Sequence, residues 1–361
     1  MRAVYITMED ALLIYDEQPD HTWHMDTYLD GLPTYCLAID PHVPTRVYCS
    51  TFGKGLWRSD DGGRMWQPVG AGIRYAEVMS VAVSPLERVG TYSVVWAGTE
   101  PSALFRSEDR GETWAECPAL LDLPSREALP WSFPPRPYTH HVRWIEPDPH
   151  EKARVFVAIE QGGVMRSLDA GLTWEDHNPN GQIDGHTLRT HKLAPGRVYE
   201  AAGGTGLILH WDEQNRPYPV LTKGGYAETR NGGETWETQT SGLVHKYFWS
   251  LAVDPANPDT LVMSGAIGPN QAHFGEAFAE SFLYRRTTDT PWHLVTNGLP
   301  EPKGTGVYSL ATNENEPGAF YAVTGRGVYH SEDAGLSWQR LGFDIPDRYR
   351  WQRVYSVIVR G

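Results

Sequence analysis

Residues 106–114 read RSEDRGETW, and near-copies stand at 58–66 (RSDDGGRMW), 166–174 (RSLDAGLTW), 228–236 (ETRNGGETW) and 330–338 (HSEDAGLSW). A worn copy, RTTDTPW, covers 286–292. The closing tryptophans, Trp66, Trp114, Trp174, Trp236, Trp292 and Trp338, follow one another at steps of 48, 60, 62, 56 and 46 residues. A repeat of that length is the size of a four-stranded propeller blade. The 36 Gly and 27 Pro, with little helical periodicity, agree with many short strands joined by tight turns.

The turn has a local logic. Ser59, Ser107, Ser167 and Ser331 precede a tight bend, where a hydroxyl can bond nearby backbone groups. Asp61, Asp109, Asp169 and Asp333 can accept backbone N–H bonds, and Gly63, Gly111, Gly171, Gly233 and Gly335 suit positive φ. An Asp consumed in this way is a poor acid or base, so the repeated turn reads as structural.

Ahead of most turns stands an apolar strand pair, as in YCLAIDPHVPTRVYCST (35–51), FWSLAVDPANPDTLVMSG (248–265) and VYSLATNENEPGAFYAVT (307–324). Six blades are expected, over 35–70, 78–117, 140–177, 185–239, 247–295 and 306–341. The tail RVYSVIVRG (353–361) is one more first strand, and the head (2–29) supplies strands two to four. The sequence therefore predicts one all-β domain over 1–361, a seven-bladed β-propeller closed by pairing the C-terminal strand with the N-terminal ones. Six blades is the fallback.

The pattern S-x-D-x-G-x-T-W resembles the Asp-box, or BNR repeat, of sialidase-like and sortilin-like β-propellers. The resemblance implies the fold; activity is open, because that superfamily includes glycosidases, lyases, receptors and assembly factors. The Arg-Ile-Pro motif and arginine triad of the sialidase-like members have no counterpart here. Xyloglucanase-like members use two such propellers with an Asp pair in the cleft between them, and one propeller is expected here. Photosystem-assembly-like members carry a basic patch, against this chain's formal charge of −14.

That charge, without a Lys/Arg-rich run, argues against nucleic acid as a partner. No leader-like start and no 18-residue apolar span is present, so a cytoplasmic, membrane-free, monomeric protein is expected. Cys36, Cys49 and Cys117 are too few for a disulfide framework.

Long insertions (117–141, 203–229 and 265–284) gather at the end opposite the repeated turns, over blades three to five. The residues entering the inner strands there are Tyr35, Met79, His141, His186, Trp249, Tyr308 and Tyr355. Aromatic faces with polar tips suit sugar rings or flat ligands, and equally suit packing. His140, His141, His186, His245 and His273 map to the same end, with Glu160 and Asp184 in reach. Imidazoles beside a carboxylate can ligate Zn, Mn or Fe or act as a general base.

The expected site thus has His141, His186 and Glu160 as the catalytic set, and Tyr35, Trp249, Tyr308, Tyr355, His245 and His273 as ligand-binding residues. A divalent transition metal would sit on His141, His186 and His245. The expected function is binding of a small polar or carbohydrate-like ligand, with glycosidase-like or metal-assisted hydrolase or lyase chemistry. The rival is a non-catalytic interaction scaffold gripping a partner through GEAFAESFLY (275–284) and LPWSFPP (129–135).

Overall fold

The computed structural model describes residues 1–128, 131, 140–204, 206–211, 217–222 and 224–361. Apart from Trp131, the LPWSFPP stretch lies outside them, as do 205, 212–216 and 223 of the blade-four insertion. The fold is all-β, with seven antiparallel blades of a β-propeller and an added two-stranded hairpin. The strands fall into two compact units, Tyr35–Thr238 and Met1–Thr34 with Gln239–Gly361.

The first unit carries blades one to four, whose inner strands are Thr34–Asp40, Val78–Val89, Val142–Pro147 and Gly185–Thr190. In blade three, three strands are joined at the outer edge by a single bridge, Arg166 to Glu175. The hairpin Gly206–Trp211 with Pro217–Thr222 is inserted between the second and third strands of blade four.

The second unit carries blades five and six, with inner strands Tyr247–Asp254 and Ser309–Ala311, and blade seven. In blade seven the C-terminal strand Val357–Arg360 pairs with Ala3–Thr7, placing Val359 opposite Val4 and Val357 opposite Ile6. The sheet continues through Leu12–Glu17 to Trp23–Tyr28. Val4, Ile6, Leu13, Val357 and Val359 bury their side chains in one cluster with Tyr321 and Val323 of blade six. Chain-terminal strands are thereby held by core packing as well as by ladder bonds.

The repeated turns consume their polar groups. Ser167 Oγ accepts the Gly171 N–H at 2.8 Å, and Asp169 Oδ1 accepts the Thr173 N–H at 2.8 Å. Asp169 Oδ2 accepts the Thr173 hydroxyl at 2.6 Å, and that bond, with the Thr173 N–H, holds the carboxyl below its ordinary pKa. The copies at Ser107 and Ser331 repeat these bonds, and Asn231 replaces the Asp in blade four. Gly111 and Gly171 take φ of 89° and 88°, and the preceding Arg110 and Ala170 are left-handed too.

A second device ties neighbouring turns together. Gly298, six residues after Trp292, lies against the backbone of the next tryptophan, Trp338, whose N–H donates to Asn297 O at 3.0 Å. Gly242 does the same at Trp292, whose N–H donates to Ser241 O at 2.8 Å, and Gly72 lies at Trp114.

Candidate functional site

In the first unit, His141, Glu160, Asp184 and His186 meet at the entry ends of the inner strands of blades three and four. Two bulges help set their positions. The ladder pairs Val142 with Ile159 and then Trp144 with Ala158, skipping Arg143. In blade four it pairs Gly185 with Ala202 and Thr187 with Ala201, skipping His186. Blades two and five skip Met79 and Trp249 in the same way. A residue left unpaired at a bulge can be aimed away from its ladder.

The equivalent of Met79, His186 and Trp249 in blade three is therefore Arg143, whereas the sequence series had His141 there. His141 stands two residues earlier, level with Asp184 and Tyr247. Arg143 lies over the Tyr35 ring at 5.7 Å.

Glu160 comes from the turn after Val155–Ile159, tightened by the Gly162 N–H to Ile159 O bond and by left-handed Gln161 and Gly163. His141 Nε2 is 2.8 Å from Glu160 Oε2, and His141 Nδ1 is 3.4 Å from Glu100 Oε2. His186 Nε2 stands 3.7 Å from Asp184 Oδ1 and 3.8 Å from Glu160 Oε1. Exposure is 1% for His141, 6% for Glu160, 3% for Asp184, and 0% for both His186 and Glu200.

Burial drives these acids apart. It penalises the Glu160 carboxylate, but His141 and His186 outweigh it and hold Glu160 well below the usual range. Asp184 is pushed up to about 6, by burial first and by the Glu160 charge, against the pull of His186. Glu200 is pushed up to about 8 by burial, with the Gln182 backbone opposing and Asp184 adding. Burial lowers His141 and His186, yet the facing carboxylates leave both raised. A held anion beside a proton-poised acid and two imidazoles is the arrangement acid–base chemistry needs.

The sequence set separates between the units. The first unit brings together His141, His186 and Glu160. His245 belongs to the second unit, where its ring stacks on Phe282 at 3.9 Å and its Nδ1 is 2.5 Å from the Tyr284 hydroxyl. Among the described residues, the group able to share one metal ion is Glu160, Asp184 and His186, with donor atoms within 4.8 Å of one another. Glu200 and Glu100 were missed as neighbours. A Glu at the centre of an apolar strand, VYEAA, was the available signal for Glu200.

The second unit holds a shallow cleft with an enclosed volume of about 40 Å³. Trp249, His273, Arg326, Arg350, Trp351 and Arg353 line it, and no Asp or Glu is among its lining residues. His273 Nε2 is 2.8 Å from the Tyr247 hydroxyl, and its ring stands edge-on to Trp249 at 4.4 Å. Arg326 is tied to Gly304 O and Thr305, Arg353 donates to His273 O at 3.2 Å, and Arg350 lies over the Trp351 ring at 5.3 Å. Tyr355 packs against the Tyr247–Trp249 cluster, and Tyr308 is buried edge-on to Tyr329.

No family model matches the chain. It is similar to a xyloglucanase of Paenibacillus sp., 24% identical over 338 residues, which cover 82% of this chain and 30% of that protein. An oligoxyloglucan-reducing end-specific xyloglucanase of Emericella nidulans is 20% identical over a gapped match that covers 94% of this chain and 44% of that one. The chain thus spans less than half the length of these curated relatives. Among solved structures, a GH74 xyloglucanase from Xanthomonas campestris superposes with TM-score 0.64 at 18% identity, over 99% of this chain and 52% of that one. At that identity the likeness speaks for the fold alone.

Proposed function

We propose that the chain is a carbohydrate-binding β-propeller of glycoside-hydrolase type, and that the cleft of the second unit takes an acidic saccharide. The observation that carries this reading is the lining. Three guanidiniums and an imidazole stand beside Trp249 and Trp351, without a lining carboxylate, in a chain of net charge −14. Indole faces suit the apolar faces of sugar rings, and guanidiniums fit carboxylates two bonds at a time. The xyloglucanase relatives support a carbohydrate as the ligand class.

The test is a titration of the purified chain with oligogalacturonate and, separately, with a neutral xyloglucan oligosaccharide, read by tryptophan fluorescence at low and high salt. The acidic sugar should bind, weaken with salt, and lose at least about tenfold on Arg350→Ala. Equal, salt-independent binding of the neutral sugar would remove the acidic reading and leave the carbohydrate one. Binding of neither would remove both.

A protein-partner reading rests on one observation, the exposure of Ile267, Phe274 and Phe278 in the 265–284 insertion. A partner that docks there should be released by Phe278→Ser with the saccharide titration unchanged.

A further inference from the structure

We propose that Glu160, Asp184 and His186 form a binding site for one divalent first-row transition-metal ion. The inference stands apart from the saccharide cleft. The three donors come from two blades: Glu160 from the turn closing a hairpin of blade three, Asp184 and His186 from the entry of blade four. His186 Nε2 lies 3.7 Å from Asp184 Oδ1 and 3.8 Å from Glu160 Oε1.

Those separations are too long for hydrogen bonds between the groups. They are close to what an ion imposes: bonds of about 2.1 Å place ligand atoms roughly 3.4 Å apart in a tetrahedron. The two pairs through His186 need a contraction of only a few tenths of an ångström, and all three donors lie within 4.8 Å of one another.

Three features point to a cation. Asp184 Oδ1 has no hydrogen-bond partner among the described residues, although the side chain is 97% buried. Behind it, Glu200 is fully buried, and neither of its oxygens makes a hydrogen bond within normal limits among those residues. Uncompensated buried carboxylates are costly, and a bound cation is the usual remedy. The space is also kept clear: a Cβ on Gly203 would overlap Asp184 Oδ2 and come within 2.7 Å of His186 Cε1.

Outer support is present as well. His141 Nε2 sits 2.8 Å from Glu160 Oε2, fixing the carboxylate so that Oε1 faces His186. Second-shell contacts of this kind orient metal ligands. One imidazole and two carboxylates select Mn²⁺, Fe²⁺ or Zn²⁺ over Mg²⁺ and Ca²⁺, which prefer all-oxygen sets.

The experiment is metal analysis of protein made without a histidine tag, then chelator treatment and titration with Zn²⁺, Mn²⁺ and, without oxygen, Fe²⁺. About one ion per chain is expected, with a rise in melting temperature on reloading. Asp184→Asn and Glu160→Gln should each weaken binding by at least about tenfold. His293→Gln, at an exposed histidine of the second unit, should leave it unchanged.

If the ligand variants do not fold, Co²⁺-loaded wild type decides the matter. One paramagnetically shifted imidazole, assigned to His186, supports the site. No retained ion and no thermal shift with any of the three metals would overturn it. Undiminished binding in the Asp184→Asn, Glu160→Gln double variant, or a cobalt signal from any other histidine, would do the same.

Discussion

Gly298 and Gly318 form a matched pair. Both take φ of 78°, and both lie in the second unit. Around Gly318 an added Cβ would meet nothing within 4 Å. At Gly298 it would overlap the Trp338 carbonyl oxygen and stand 2.7 Å from the carbonyl carbon. Alanine therefore pays the same left-handed backbone strain at both sites, about 1–2 kcal/mol. Gly298→Ala must also push the Trp338 backbone away. That movement costs about 1–3 kcal/mol in overpacking. It further breaks the bond from Trp338 N–H to Asn297 O, worth about 1 kcal/mol net.

The expected losses are about 1–2 kcal/mol for Gly318→Ala and about 3–6 kcal/mol for Gly298→Ala. Urea unfolding followed by tryptophan emission measures both, with the slopes compared to confirm that the same surface unfolds. Trp338, only 2% exposed, sits in the core between blades five and six and should report the change. Equal losses would mean that the glycine is required by φ alone. The close approach to Trp338 would then not hold neighbouring turns in place.

Trp351→Ala should weaken saccharide binding by about tenfold or more while costing about 1 kcal/mol of stability, since the side chain is 43% exposed and packs little core. Asp169→Ala removes acceptors for the Thr173 N–H, the Thr173 hydroxyl and the Ser167 hydroxyl. It should cost about 1–2 kcal/mol in thermal or urea unfolding and leave ligand titrations unchanged. Glu17 is held near 2 by its hydrogen bond to Arg2, against an ordinary value of 4.5. Its contribution is present above pH 4.5 and lost as pH falls through 2, so Glu17→Gln should flatten stability in that window. The effect should be about 1 kcal/mol after solvent screening, checked by melting temperatures between pH 2 and 6.

The fold was legible because its signals are local and repeated. Each RSxDxG turn encodes its own bonds, and the steps between tryptophans count the blades. Even the split blade could be read, since RVYSVIVRG is a first strand without a second. The His141, Glu160 and His186 grouping was legible through blade spacing. The register of blade three was not: Met79, His186 and Trp249 each precede a small Ser or Thr, whereas Arg143 precedes Trp144, so the series settled on His141 before Val142. His245 lies in the second unit, where Phe282 and Tyr284 take its ring, and position on a blade end does not say which neighbours a ring meets. The cleft arginines come from two places, Arg326 from one turn and Arg350 and Arg353 from a single stretch near the C-terminus. The stretch RYRWQR at 348–353, basic and aromatic in an acidic chain, was the signal available. The glycine six residues after Trp66, Trp236 and Trp292 was likewise present and unread.

Hydrogen-bond accounting separates carboxylates that build this protein from those that can act. Asp109, Asp169 and Asp333 each spend both oxygens on the turn that carries them, and each is held below its ordinary pKa. Removing one should cost stability only. Asp184 and Glu200 show the reverse: deep burial, raised proton affinity and oxygens without hydrogen bonds among the described residues. Folding gains little from such groups, because burying a carboxyl whose oxygens lack hydrogen bonds is costly. Replacing Glu200 by Gln, which keeps the shape and prevents ionisation, should therefore preserve or raise stability while weakening any cation held at Asp184.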